Sequence, residues 1–411
     1  MNRLRSRLNA AFRILRTEGV VSLYRRVRRK AQTGFASAPA VLPVKDDDAL
    51  AVDWTTTPPW AASQTTVADR ATIAWVMSPP SPNSGGHQNL FRFIAAAEAA
   101  GHRCRVYFYT NSGVVVNSDD MRRMLLDSGG YPKFDASLAM YDSARGVDDD
   151  VQAIFATGWE TAYPVFRDAS MARRFYFVQD FEPSFYPVGS ESLLAENTYR
   201  FGFHGITAGG WLAQKLAADY GMRTDHFDFA VDRSNYHVTN TGPRREVFFY
   251  ARPMTPRRGF ELGMMALSVF AERHPDVRIN LAGGAVDLSA LPFRAVDHAE
   301  VNVDRLNRLY NRCSVALVLS ATNMSLLPLE LASAGVVPVV NDGPNNRLVS
   351  DNPFIEYVPP VPRLLGERMI AAFERPDAVE HARAMSDSVA ESDWSDSGRQ
   401  FVQAFERAMH G

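Results

Sequence analysis

Residues 315–346, VALVLSATNMSLLPLELASAGVVPVVNDGPNN, constrain this chain more than any other stretch. The run 315–320 is short, apolar and rich in β-branched residues, which suits a strand buried on both faces. A polar turn follows at 321–325. Residues 326–334 are mostly good helix formers, with Pro328 in the first turn and Gly335 at the C-cap position. Residues 336–340 read as a second buried strand. Strand, loop, helix and strand make one step of a parallel α/β sheet. The loop and first helical turn offer free backbone N–H groups at the positive end of the macrodipole, where an anion such as phosphate can bind. Glu330 stands between Leu329 and Leu331. Its carboxylate either meets a partner such as a ribose diol or faces water on an amphipathic helix.

At 411 residues the chain is long enough for two domains. A hydrophobic content of 46% with 22% charged residues is that of a globular protein. The net charge of −2 argues against general nucleic-acid binding. Cys104 and Cys313 fall in or beside apolar runs without a CxxC spacing, as reduced core thiols do. No apolar run reaches the roughly 20 residues needed to cross a bilayer, and no secretory signal is evident. These features point to a cytoplasmic protein.

Charge is uneven along the chain. Residues 1–30 hold nine arginines and Lys30 against one acid, Glu18, with Leu4, Leu8, Phe12 and Leu15 at helical spacing. This is a basic amphipathic segment suited to an anionic membrane surface, placing the protein at the inner face of the plasma membrane. The alternative is a helix packed on its own protein with its arginines in solvent. Residues 31–70 read as a linker or loose extension.

An α/β pattern begins at 71. A strand at 72–77 runs into SPPSPNSGGH, a loop containing Gly85 and Gly86, then a helix at 88–100 and a strand at 103–108. The loop is not GxGxxG and no acid ends the second strand, which excludes a dinucleotide fingerprint. The glycine pair still allows close approach of backbone to a ligand. Further strands are expected at 153–157, 174–179 and 205–208. The end of the middle one, Gln179-Asp180-Phe181-Glu182, sets two acids beside an aromatic, as a hydroxyl-rich ligand or plain solvent exposure would each allow. A polar junction at 239–245 precedes a second α/β unit. Its strand at 246–250 leads into a loop with Arg252, Arg257 and Arg258, and a later strand into Gly283-Gly284. Arginine forks leaving a strand end can converge on one phosphate. The Asp-x-Asp triplets at 46–48 and 148–150 read as solvated acids, and no metal is expected.

The expected architecture is thus α/β, with two Rossmann-like domains at 71–240 and 241–375 facing a central cleft. A C-terminal helical segment, 376–411, is expected to reach back to the first domain.

These motifs resemble the GT-B glycosyltransferases of family 4 over about residues 71–410. Arg252 and Arg258 resemble the pair that binds the donor diphosphate, with Arg in place of the family's Lys. The SATNMSLLPLELASAGVVPVV stretch is similar to the Glu-x7-Glu signature. The resemblance implies that Glu330 binds ribose, that Ser325 and Leu326 meet the phosphates through backbone amides, and that Gly85, Gly86, Gln179, Gly283 and Thr322 line the donor site. Thr322 replaces the first Glu, and Gln179 stands where many members carry His before Asp180. A 6-deoxyhexose is compatible with both changes. The QDFEP run, the basic N-terminus and NMSLLPLE are most similar to the WsaF-type rhamnosyltransferases. That implies dTDP-rhamnose as donor, a lipid-linked glycan as acceptor, no cofactor and metal-independent retention. Asp180, Arg252 and Arg258 are then the catalytic candidates. The rival readings are another donor, such as GDP-mannose or a UDP-sugar, an NAD-dependent oxidoreductase, or a non-catalytic glycan-assembly subunit.

Overall fold

The computed structural model describes residues 41–62, 70–82, 84–111, 113–299 and 301–410. The basic segment 1–30 and its expected membrane contact lie outside the described residues. Residues 44–411 form one compact unit.

Two parallel sheets dominate. The first carries β1 (Thr72–Met77), β2 (Arg103–Phe108), β3 (Ser137–Met140), β4 (Ala153–Ala156), β5 (Arg173–Val178), β6 (His204–Ala208) and β7 (Arg223–Phe227), in the order β3-β2-β1-β4-β5-β6-β7. The second carries β8 (Glu246–Tyr250), β9 (Arg278–Ala282), β10 (Ala295–Asp297), β11 (Cys313–Val318), β12 (Val337–Asn341) and β13 (Glu356–Val358), in the order β10-β9-β8-β11-β12-β13. β1, β4 and β12 are buried along their whole length, as strands covered on both faces must be.

Helices in chain order are α1 (Asp46–Leu50), α2 (Gly85–Ala99), α3 (Ser118–Asp127), α4 (Trp159–Arg167), α5 (Ser190–Asn197), α6 (Gly210–Tyr220), α7 (Phe260–Arg273), α8 (Val303–Tyr310), α9 (Leu327–Ser333), α10 (Pro344–Arg347), α11 (Pro362–Phe373), α12 (Ala378–Asp387) and α13 (Trp394–His410). Each sheet reverses its winding once, between β1 and β4 and between β8 and β11. In open α/β sheets the crevice at such a switch point, beyond the strands' carboxyl ends, is where ligands bind.

The order of the C-terminal segment differs from expectation. α12 belongs to the second lobe: Met385 joins its core and the Ser386 hydroxyl donates to the Ser333 carbonyl at 2.7 Å. Only α13 packs on the first lobe. Its Phe401 lies 5.8 Å from Trp75 and 5.2 Å from Phe93, ring centre to ring centre, and Phe405 lies 5.2 Å from Phe175.

The extension is also not loose where it is described. Asp48, expected in solvent, is completely buried. It accepts from Arg167 at 2.5 Å, from the Tyr109 hydroxyl at 2.8 Å and from Ser143 at 3.0 Å. A buried carboxylate needs such partners, and this one pins residues 44–50 to the first lobe. Asp148 and Asp150 are tied to Arg105 at 2.8 and 2.6 Å, so that triplet is ion-paired and partly exposed.

Candidate functional site

Both switch points bring loops to the cleft, and the loops after β8 and β11 hold most of the expected donor residues. Arg252 follows β8, with its guanidinium 5.6 Å from the Tyr250 ring. Gly283 makes room for this pair. Its φ is +119°, and a Cβ there would stand 2.7 Å from the Tyr250 ring and 3.0 Å from Cδ of Arg252. Arg258 closes the single turn Pro256–Arg258, after which Gly259 adopts φ +58°. Nη1 of Arg258 donates to Ser320 Oγ at 2.9 Å, and Ser320 Oγ in turn donates to the Asn323 carbonyl at 2.8 Å. Burial lowers the pKa of Arg258. Asp180 opposes that shift, while the neighbouring positive charges of Arg257 and Arg252 add to it. Three guanidinium groups therefore share one electrostatic neighbourhood, with the Asp180 carboxylate offsetting Arg258 there. Such a floor favours an anion.

The loop after β11 is held by asparagines. The Asn341, Asn345 and Asn346 side chains all donate to the Ser320 carbonyl, at 2.8, 2.9 and 3.3 Å. This scaffold turns 321–326 into a rigid approach to α9. Leu326 is the N-cap of α9 and Pro328 lies in its first turn. Among the described residues, the N–H groups of Ser325, Leu326 and Leu327 meet no acceptor, as expected at a helix start. The hydroxyls of Thr322 and Ser325 are buried without a partner, Thr322 being 1% exposed.

Glu330 lies in α9 and is half-buried. Desolvation pushes its carboxyl up to about 7; Arg92 of α2 opposes this and Asp232 adds to it. Its carboxylate makes no hydrogen bond or ion pair among the described residues. Arg92 stands across the cleft on the first lobe, 4.6 Å over the Trp394 ring. Sequence reading missed Arg92, because nothing local links position 92 to position 330.

On the first lobe, Gly86 and Gln179 come together, and Gln179 Nε2 donates to the Gly86 carbonyl at 3.2 Å. Asn89 Nδ2 donates to Gln179 Oε1 at 3.1 Å. Gly85 opens α2 with free space where a Cβ would stand. Asp180, expected as a catalytic candidate, sits at the end of β5 where the lobes meet. It is 9% exposed. Oδ1 accepts from the N–H groups of Phe181 at 2.8 Å and Asn323 at 2.9 Å. Oδ2 faces Nε of Arg257 at 3.4 Å, an ion pair without hydrogen-bond alignment. Both oxygens are thus engaged by protein. Glu182 turns inward, where it accepts from the Trp159 N–H at 2.6 Å and the Tyr176 hydroxyl at 2.9 Å. Burial, and then the charge of Glu160, push its carboxyl up to about 8. It is a buried structural acid rather than a ligand reader.

Comparison with known proteins agrees with this geometry. A model of the WsaF C-terminal domain matches residues 245–370, and one of the WsaF N-terminal domain matches residues 148–208. The O-antigen biosynthesis protein RfbC of Myxococcus xanthus is 40% identical over 199 residues. That match covers 47% of this chain and 16% of RfbC, so the chain spans a small part of that relative. Among solved structures, Anabaena Alr3699/HepE in complex with UDP and glucose superposes with a TM-score of 0.61 at 14% identity, covering 83% of this chain and 100% of that one. TarM gives a TM-score of 0.65 at 8% identity, covering 85% and 100%. At such identities the structural likeness concerns the fold. Two segments of the chain, 148–208 and 245–370, thus match the N-terminal and C-terminal domain models of WsaF, and the chain has the two-lobed GT-B fold.

Proposed function

We propose that the chain is a glycosyltransferase of surface-glycan synthesis that moves a sugar from a nucleotide diphosphate donor, dTDP-rhamnose, to a glycan acceptor. The observation that carries this reading is the gathering of Arg252, Arg257 and Arg258 at the β8 end beside the unpaired N–H groups of 325–327. The WsaF domain matches and the relative's role in O-antigen synthesis support it. A structural neighbour described with UDP and glucose supports a nucleotide sugar in the cleft.

In this reading the bond between the sugar C1 and the diphosphate oxygen breaks with its electron pair on the diphosphate. Arg252, Arg258 and the N–H groups of Ser325 and Leu326 meet the charge that grows there, and such preorganised electrostatics lower the barrier. The acceptor hydroxyl oxygen bonds to C1 on the face the diphosphate leaves, and its proton passes to a diphosphate oxygen. Glu330 accepts from the free 3′-hydroxyl of the donor's deoxyribose. No cofactor enters these steps.

Among the described residues no helix is long and apolar enough to cross a membrane. Contact with an anionic membrane through residues 1–30 is part of the proposal, and liposome binding with and without that segment tests it.

The deciding experiment for the donor is a thermal-shift panel of dTDP-, UDP- and GDP-sugars. Stabilisation by dTDP-rhamnose is expected. Stabilisation by GDP-mannose alone would overturn the donor, and no response to any nucleotide sugar would overturn the transferase reading.

A further inference from the structure

We infer that Asn323 is a positioning residue that sets the angle between the two lobes, and so the distance from acceptor to donor; the inference rests on the transferase reading above. Asn323 is 2% exposed and lies in the loop after β11 of the second lobe. Its hydrogen-bond donors all go to the first lobe. The backbone N–H donates to Asp180 Oδ1 at 2.9 Å. Nδ2 donates to the carbonyls of Gln179 at 3.0 Å and Ala208 at 2.8 Å. These carbonyls mark the ends of β5 and β6, adjacent strands of the first sheet. Both amide hydrogens point at carbonyl oxygens, so a flipped amide would set oxygen against oxygen. Oδ1 is buried with no partner.

The residue's own loop does not depend on it. Asn341, Asn345 and Asn346 hold the Ser320 carbonyl from within the second lobe. The Asn323 side chain is therefore spent on the other lobe. Two further contacts cross at the same rim. Arg257 pairs with Asp180, and its guanidinium lies 3.9 Å over the Phe185 ring. Gly209, at φ +84°, meets Val349 so closely that a Cβ would stand 3.2 Å from it. Asn323 combines this fastening with a link to the anion-facing floor, since its carbonyl accepts from Ser320 Oγ, which holds Arg258. Parting of the lobes would strip Asp180 of Asn323 and Arg257 together.

The test compares full-length protein with N323A, which removes the side-chain bonds, and N323D, which sets carboxylate oxygens against two carbonyls and beside Asp180. Small-angle scattering reads the radius of gyration, calorimetry reads dTDP affinity, and steady-state transfer reads kcat and KM. N323D is expected to enlarge the radius of gyration and both variants to lower kcat by roughly tenfold or more, with dTDP affinity and donor KM within about twofold of the parent. An unchanged radius together with unchanged kcat would overturn the inference. So would loss of dTDP affinity in step with kcat, which would make Asn323 a local part of the nucleotide site. If no nucleotide binds to any of the three proteins, the transferase reading fails, and the scattering difference still decides the lobe contact.

Discussion

Replacing Glu330 by Gln tests burial and ribose recognition at once. The carboxyl is pushed up from 4.5 to about 7, chiefly by desolvation. At about 1.36 kcal/mol per unit, a rise of this size corresponds to about 3 kcal/mol as an upper bound. The native state holds the proton to higher pH than the unfolded chain. Stability is therefore lost as pH rises from about 4.5 to about 7, and the loss is complete above that window. Glu330→Gln does not titrate, so this part of the decline should vanish. Above pH 7.5 the variant should melt higher than the parent by roughly 5 °C, and the two should converge near pH 5. The ribose role predicts the opposite sign for donor binding. Loss of a charged acceptor costs about 1.5–3 kcal/mol, roughly 10- to 150-fold in donor KM above pH 7. The parent's affinity should fall as pH drops below about 7, where Glu330 takes up its proton, and the variant's should stay flat. Thermal melts and donor KM between pH 5 and 8.5 read both effects. Parallel melting curves would refute the burial argument, and an unchanged KM would refute the ribose role.

Arg258→Ala should lower kcat by roughly 10²–10³-fold through loss of charge stabilisation on the leaving diphosphate, with the melting temperature nearly unchanged; activity assays set against melting curves decide it. Glu182→Gln should abolish a fall in stability that the parent shows as pH rises from about 4.5 to about 8, since burial holds that carboxyl at about 8; urea melts at pH 5 and 8.5 would show the difference. Asp48→Ala removes the acceptor of the Tyr109 and Ser143 hydroxyls and should destabilise by about 2 kcal/mol, with residues 44–62 the first cut in limited proteolysis.

What could be seen in the sequence follows from physical range. β1, β8, β11 and β12 announce themselves as apolar runs because both of their faces are covered. β7, RTDHF, and β10, AVD, lie at sheet edges, where one side meets solvent and polar residues are tolerated, so no apolar run marks them. Arg252, Arg258 and Glu330 stand out because charge in or beside apolar runs needs a reason. Asn323 does not stand out: a loop asparagine is ordinary, and its partners lie 115–144 positions away. Asp180 is visible as a strand-end acid, yet its engagement depends on the other lobe. Asp48 looks like part of a solvated acidic run because its cation, Arg167, is 119 positions distant. Local pattern reveals which elements form, whereas contacts between lobes arise only once both have folded.

The return of α13 has a consequence for biosynthesis. The ribosome releases the first lobe's strands early, but Phe401 and Phe405, which fill the space against Trp75, Phe155 and Phe175, are made only after the whole second lobe. Until then Trp75 and Phe155, stacked 4.4 Å apart, lack their cover. The second lobe, whose core ends near Val389, can close first. A nascent chain therefore emerges with its later half finished and its earlier half waiting. A stop codon anywhere before 394 should yield an aggregation-prone product rather than a smaller working one.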